Sequence, residues 1–124
     1  MTIDNVLNLG HNKVQKKAEF HPKALDFIRS QSTAIRQQLG EAIRDLQKGM
    51  ALSMPLSRPM PSVAPGVAEL RVKDDARAVR VFYITKVAGA VLIFHGFEKT
   101  TQQTPKREID LGRKRLKEVV HGKK

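Results

Sequence analysis

The chain has 124 residues, no cysteine, and 23 Lys or Arg against 12 Asp or Glu, for a formal net charge of +11. That length suits a single domain with a modest core, and the lack of cysteine excludes disulfides and thiolate chemistry. No apolar stretch approaches the roughly 20 residues of a membrane span, and the start MTIDNVLNLGHNK lacks the features of a signal peptide, so a soluble cytoplasmic protein is expected.

Residues 1–12 show no periodicity and read as a flexible N-terminal arm ahead of one domain over residues 13–124. Lys13 to Phe20 (KVQKKAEF) reads as a short edge strand, whose lysines discourage pairing with other chains. Pro22 suits a first helical position, and Leu25 and Ile28 give a short helix one apolar face. Ser32 or Thr33 can cap a second helix, in which Ile35, Leu39, Ala42, Ile43 and Leu46 recur at helical spacing as one buried stripe. Gly49 is its expected stop. The small gap between the two helices predicts an antiparallel hairpin. Residues 50–66 (MALSMPLSRPMPSVAPG) hold four prolines, which excludes a helix or a central strand. They read as a long connector plugged onto the core by Met50, Met54 and Met60.

Three strand-like runs follow: VAELRV (67–72), VRVFYIT (79–85) and AVLIFH (90–95). Short loops join them, which predicts an antiparallel meander. In the middle run Arg80, Phe82 and Ile84 point one way, and Val81, Tyr83 and Thr85 the other. Both faces of the sheet are therefore expected to be partly covered. Thr104-Pro105 then opens a last helix as cap and first-turn proline. Ile109, Gly112, Leu116, Val119 and Val120 share its inner face; Lys106, Arg107, Arg113, Lys114 and Lys117 fall mostly on one flank. A helical glycine costs about 1 kcal/mol against Ala, so Gly112 points to a close approach to the sheet. The fold class is α+β in the order (β)ααβββα, with an N-terminal helical hairpin and a C-terminal helix packed on a small antiparallel sheet.

Charge is uneven along the chain. Residues 51–124 hold fifteen Lys or Arg and seven acids, a difference of +8 out of the total +11. Such clustering points to an anionic partner: nucleic acid, an acidic protein or an anionic membrane. Familiar catalytic motifs are missing. There is no Gly-rich phosphate loop and no Gly-x-Ser-x-Gly elbow. His11, His21, His95 and His121 lack a paired metal-ligand spacing, so neither a metal nor a cofactor is expected.

What remains is cationic. Glu69 and Arg71 lie two apart on one strand and share a face, Arg80 lies on the next strand, and Lys99 follows the third. A meander can gather these into one patch, where guanidinium groups match phosphate oxygens bidentately and a lysine offers a point charge. Such a patch can bind RNA and stabilise the charge that builds on a scissile phosphate. Metal-free cleavage also needs a base for the 2′-hydroxyl and an acid for the 5′-oxygen, and Glu69 and His95 are the nearby candidates of conventional type. The candidate RNA-binding set is Arg71, Lys73, Lys86, Tyr83, Lys106 and Arg107. Each reading has a structural alternative. Glu69 can instead form an ion pair with Arg71 or Arg80, and His95 can be a satisfied histidine at a strand end. Tyr83 can be core rather than a base-stacking ring, and Arg107 can be part of a solvated helix flank.

The strings ELR, RVFY and LIFHGFEKTTQQTPKREIDLGRKRLKE resemble, in that order, the phage-derived killer-protein group of the RelE/HigB/ParE toxin superfamily. That group shows Glu-Leu-Arg, Arg-x-Phe-Tyr, His-x-Phe-x-Lys-Lys, Thr-Pro and a basic final helix. The likeness spans roughly residues 13–120 and departs from the pattern at Thr100, where a second lysine is common. It implies a RelE-like fold and the toxin of a type II toxin–antitoxin pair, acting as a ribosome-dependent, metal-independent mRNA endoribonuclease. It also implies that Arg80 is a phosphate-binding catalytic residue, with Lys99 and Arg71 at the matching basic positions. Some relatives use a C-terminal tyrosine or histidine, and here His121 is the only such residue near the C-terminus. The implied partners are a cognate antitoxin, often with a helix-turn-helix domain, together with mRNA and the 70S ribosome, and neither a membrane nor a small-molecule cofactor. ParE-type relatives share the fold but inhibit DNA gyrase. A non-nucleolytic gyrase inhibitor therefore stays open, as does a basic nucleic-acid-binding module without catalysis. The 5% aromatic content leaves that last reading few stacking platforms.

Overall fold

The computed structural model describes residues 15–87 and 89–122; the expected arm over residues 1–12 lies outside them. Along the chain run β1 (Lys17–Phe20), α1 (Pro22–Arg29), α2 (Thr33–Gln47), β2 (Ser57–Pro59), β3 (Ala68–Lys73), β4 (Ala78–Val87), β5 (Ala90–Glu98) and α3 (Lys106–His121). The class is α+β: three helices on a five-stranded sheet of order β1-β5-β4-β3-β2.

The helices form where capping chemistry and apolar spacing coincide. Pro22 occupies the first turn of α1, and the His21 side chain caps it by accepting from the Lys23 amide. Ser32 caps α2 through the Ile35 amide, and the stripe Ile35, Leu39, Ala42, Ile43 and Leu46 is buried as its spacing predicts. Gly49 follows α2 with a φ of 90°, the left-handed region that ends helices at low cost in glycine. At α3 the expectation is corrected by one residue. Pro105, not Thr104, is the N-cap residue, and it makes no side-chain capping bond. The Thr104 hydroxyl instead favours the ionised form of Glu69.

β3, β4 and β5 form the expected antiparallel meander. Two strands depart from it. β1 pairs in parallel with β5, from Lys17 opposite Ala90 to Phe20 opposite Ile93, so the sheet is mixed rather than purely antiparallel. Parallel pairing needs a long connection, and both the helical hairpin and the meander's first two strands separate β1 from β5. β2 lies inside the proline-rich connector, with Ser57, Arg58 and Pro59 opposite Leu70, Glu69 and Ala68. It is an edge strand of three residues, where proline is tolerated. Of the three methionines expected to plug the connector down, Met60 is buried, while Met50 and Met54 are exposed.

The sheet is covered on both sides, as the alternation in β4 predicts. α1 and α2 bury Leu70, Val72, Val81, Tyr83 and Ile93 on one face. α3 and the loop after β2 bury Phe82, Ile84, Leu92, Phe94 and Phe97 on the other, with Met60 and Val63. Gly112 makes the second contact possible: a Cβ there would lie 2.7 Å from a ring carbon of Phe82. Residues on β3 and β4 are thus held by a sheet clamped between two cores.

Candidate anion-binding site

An open cleft of about 480 Å³ lies where β3 turns into β4. Arg71, Lys73, Arg80 and Lys99 line it, with Gln38 of α2 and the Pro55-Leu56 lip of the connector. The backbone explains the gathering. Arg71 and Arg80 are directly opposite in the β3–β4 ladder, and Lys73 is opposite Ala78. The Lys99 amide donates to the Ala78 carbonyl at 2.8 Å, which carries the β4–β5 ladder one residue beyond β5. Gln38 Nε2 donates to the Lys73 carbonyl at 2.7 Å and ties the cleft floor to α2.

Two arginines directly opposite each other repel, and Glu69 offsets that. It lies two residues before Arg71 on the same face of β3 and is 1% exposed. Its Oε2 is 3.7 Å from Arg80 Nε and 3.5 Å from Arg58 Nε. Oε1 makes no hydrogen bond of good geometry, although the Thr104 hydroxyl is close enough to favour the ionised form. Burial pushes the Glu69 carboxyl above its ordinary range, against the pull of Arg58, Arg80, Arg71 and Thr104. Burial likewise lowers the Arg80 pKa, with Glu69 opposing the shift and Arg71 and Arg58 adding to it. Arg80 stays charged all the same, because its guanidinium is far too basic to lose its proton. Arg58 escapes sequence reading because β2 does. The one available signal is a lone arginine flanked by Ser57 and Pro59 in an otherwise uncharged stretch.

Other candidate residues lie elsewhere. His95 is not at a strand end, because β5 runs on to Glu98. It is 2% exposed beneath α3, with Nε2 2.7 Å from Glu108 Oε1 and Nδ1 2.8 Å from an Arg115 guanidinium nitrogen. Both ring nitrogens are occupied there, so His95 does not reach the cleft. Burial lowers its pKa, and the Glu108 bond opposes the shift. Tyr83 faces the α1–α2 core, with its hydroxyl 2.6 Å from Ser57 Oγ; a ring buried on that side is not a stacking platform. Lys86 is exposed near the far end of β4, about 20 Å along the strand from Arg80. Lys106 and Arg107 are exposed on the first turn of α3, paired with Asp110 at 2.8 Å and Glu108 at 3.4 Å.

The family described as Phage derived protein Gp49-like (DUF891) matches residues 26–117. The chain belongs to this family. No curated protein matches it. The span shared with the Gp49-like family takes in β2 to β5 and most of α3, hence Arg58, Glu69, Arg71, Lys73, Arg80 and Lys99 together.

The Gp49-like cleft is suited to anions. Four cationic side chains line it, with one buried carboxylate behind them. Its lining contains no carboxylate or imidazole among the described residues, and no group of three or more His, Asp or Glu among them is placed to hold a metal ion. The arrangement can bind phosphate oxygens and stabilise added negative charge on them. No helix among the described residues is long and apolar enough to cross a membrane.

Proposed function

We propose that this Gp49-like protein is the toxin of a type II toxin–antitoxin pair, with a RelE-like fold, acting in the cytoplasm as a ribosome-dependent, metal-independent mRNA endoribonuclease. The observation that carries the reading is the meeting of Arg71, Lys73, Arg80 and Lys99 in one cleft. The ordered motifs from ELR to the basic final helix support it. In the proposed reaction the 2′-hydroxyl oxygen attacks the adjacent phosphorus, and the bond to the 5′-oxygen breaks. The Arg80 fork and the Lys99 ammonium bear the charge gained by the phosphate oxygens on the way. The proton leaving the 2′-hydroxyl goes to Glu69, behind the arginines, or to a group on the ribosome, and the departing 5′-oxygen takes its proton from the Lys99 ammonium or from water. A cognate antitoxin with a helix-turn-helix domain and acidic residues covers the cleft until it is removed.

The lack of a base in the cleft lining favours one second reading, a non-nucleolytic inhibitor of DNA gyrase. Expression of the chain, followed by primer extension on cellular mRNA and a supercoiling assay, separates the two. New 5′ ends that appear only with translating ribosomes support the first. Intact mRNA with blocked supercoiling supports the second and sinks the first.

A further inference from the structure

The cationic surface does not stop at Arg80. Arg58 of β2 is opposite Glu69 of β3, and Glu69 is two residues from Arg71, which is opposite Arg80. Arg58 and Arg80 share Glu69 Oε2, at 3.5 and 3.7 Å from their Nε atoms. Each arginine thus turns its inner nitrogen to the carboxylate. The contacts of the outer nitrogens are weak: Arg58 Nη2 is 3.7 Å from the Met60 sulfur, and Arg80 Nη1 is 3.3 Å from the Val79 carbonyl. A thioether is a poor acceptor. The Arg58 side chain is 41% exposed, so a ligand can reach it. Glu69 carries at most one negative charge yet faces Arg58, Arg71 and Arg80 at once, which leaves a positive excess that an added anion relieves. Because the two Nε atoms flank one oxygen, their separation cannot exceed the sum of those two distances. The two guanidinium groups are therefore close enough to contact neighbouring phosphates of a single strand.

Building on the reading of the cleft as an RNA-phosphate site, we propose that Arg58 holds the phosphate next to the one held by Arg80, and that Glu69 is the positioning residue that spaces the two guanidinium groups. The site then takes two phosphates flanking one nucleoside rather than a lone phosphate. Arg58, on the edge strand, extends the track away from the cleft and towards the loop that carries Met60.

Titration of the full chain with adenosine 3′-monophosphate and adenosine 3′,5′-bisphosphate, followed by NMR, tests this. The wild type binds the bisphosphate about tenfold more tightly, the effect of one added charge-assisted contact. Arg58→Ala erases that preference by weakening bisphosphate binding far more than monophosphate binding, whereas Arg80→Ala weakens both ligands. Lys117→Ala removes the same charge from the exposed flank of α3 and keeps the preference. Glu69→Gln reduces the preference in a chain whose folding is confirmed by thermal unfolding, and Glu69→Asp restores part of it. Equal wild-type affinity for the two nucleotides, or a preference that survives Arg58→Ala, overturns the proposal and leaves the cleft reading standing. A wild-type chain that binds neither nucleotide overturns the cleft reading and the proposal together.

Discussion

His95 of β5 and Glu108 of α3 meet at 2.7 Å beneath the helix, and the other imidazole nitrogen is held by Arg115. This contact ties the closing helix to the sheet through buried polar groups. Its loss strands a buried carboxylate and leaves a cavity beside Phe82 and Phe97, whose rings lie 5.5 and 5.6 Å from the imidazole. His95→Ala is therefore expected to lower stability by about 2–4 kcal/mol in urea unfolding. Unchanged stability with loss of the proposed activity would return His95 to the candidate catalytic groups.

Burial also makes His95 a source of pH sensitivity. Its folded pKa is depressed below the ordinary 6.5, chiefly by desolvation, with Arg115 and His21 adding to the shift and Glu108 opposing it. The unfolded chain takes up the proton first. The contribution is thus fully present above pH 6.5 and is lost as pH falls towards the folded pKa. Wild-type stability, compared with that of His95→Gln across pH 4.5–7.5, should show an extra decline below about pH 6.5. Parallel profiles for the two chains would mean that the imidazole does not gain its proton on unfolding.

Glu69 has the opposite sign. Burial raises its carboxyl pKa even though Arg58, Arg80 and Arg71 pull it down. Its stabilising contribution is fully present below the ordinary value of 4.5 and is lost as pH rises through the folded pKa. The ionised carboxylate is thus a net cost to the fold at neutral pH. Glu69→Gln should leave stability at pH 7 unchanged or raise it by about 1 kcal/mol, while the proposed mRNA cleavage falls. A clear loss of stability at pH 7 would mark Glu69 as a structural ion-pair partner instead.

The elements that could be read in advance are those whose signal is periodic. The α2 stripe, the two-sided burial of β4 and the close approach at Gly112 all follow from spacing and residue type. β2 has only three residues, too few for any period, and sits among prolines. The parallel partner of β1 is more than seventy positions away in sequence, and nothing local records it. Glu69, Arg71, Arg80 and Lys99 could be gathered because neighbouring strands in a meander are short in sequence separation. Arg58 depends on β2 and is no more legible than that strand. The placement of His95 depends on a helix thirteen residues further on, and that of Tyr83 on which face the hairpin covers.

Gly112→Ala tests how closely α3 is seated. Helix propensity alone favours the change by about 1 kcal/mol. A Cβ at this position, however, would lie 2.7 and 2.8 Å from two ring carbons of Phe82, a fully buried side chain packed between Phe94, His95 and Phe97. The ring has no room to yield, and overpacking of this kind costs about 1–3 kcal/mol. A net loss of stability in urea unfolding is expected. A gain would show that α3 can ride outwards without cost.

Arg80→Lys and Lys99→Arg form the sharpest pair of variants for the cleft. Both keep the charge, so long-range attraction of RNA is preserved in each. Arg80 turns Nε to Glu69 at 3.7 Å and also lines the cleft. A lysine has one nitrogen and cannot meet the carboxylate and a phosphate together. Lys99 is half-buried at the cleft edge and acts as a point charge, a role that a guanidinium can fill. Arg80→Lys should therefore slow the proposed mRNA cleavage about 100-fold or more with little change in stability, and Lys99→Arg should retain most of it. Equal activity in the two variants would show that the cleft needs only charge at these positions, and the fork geometry of Arg80 would then have no part in the reaction.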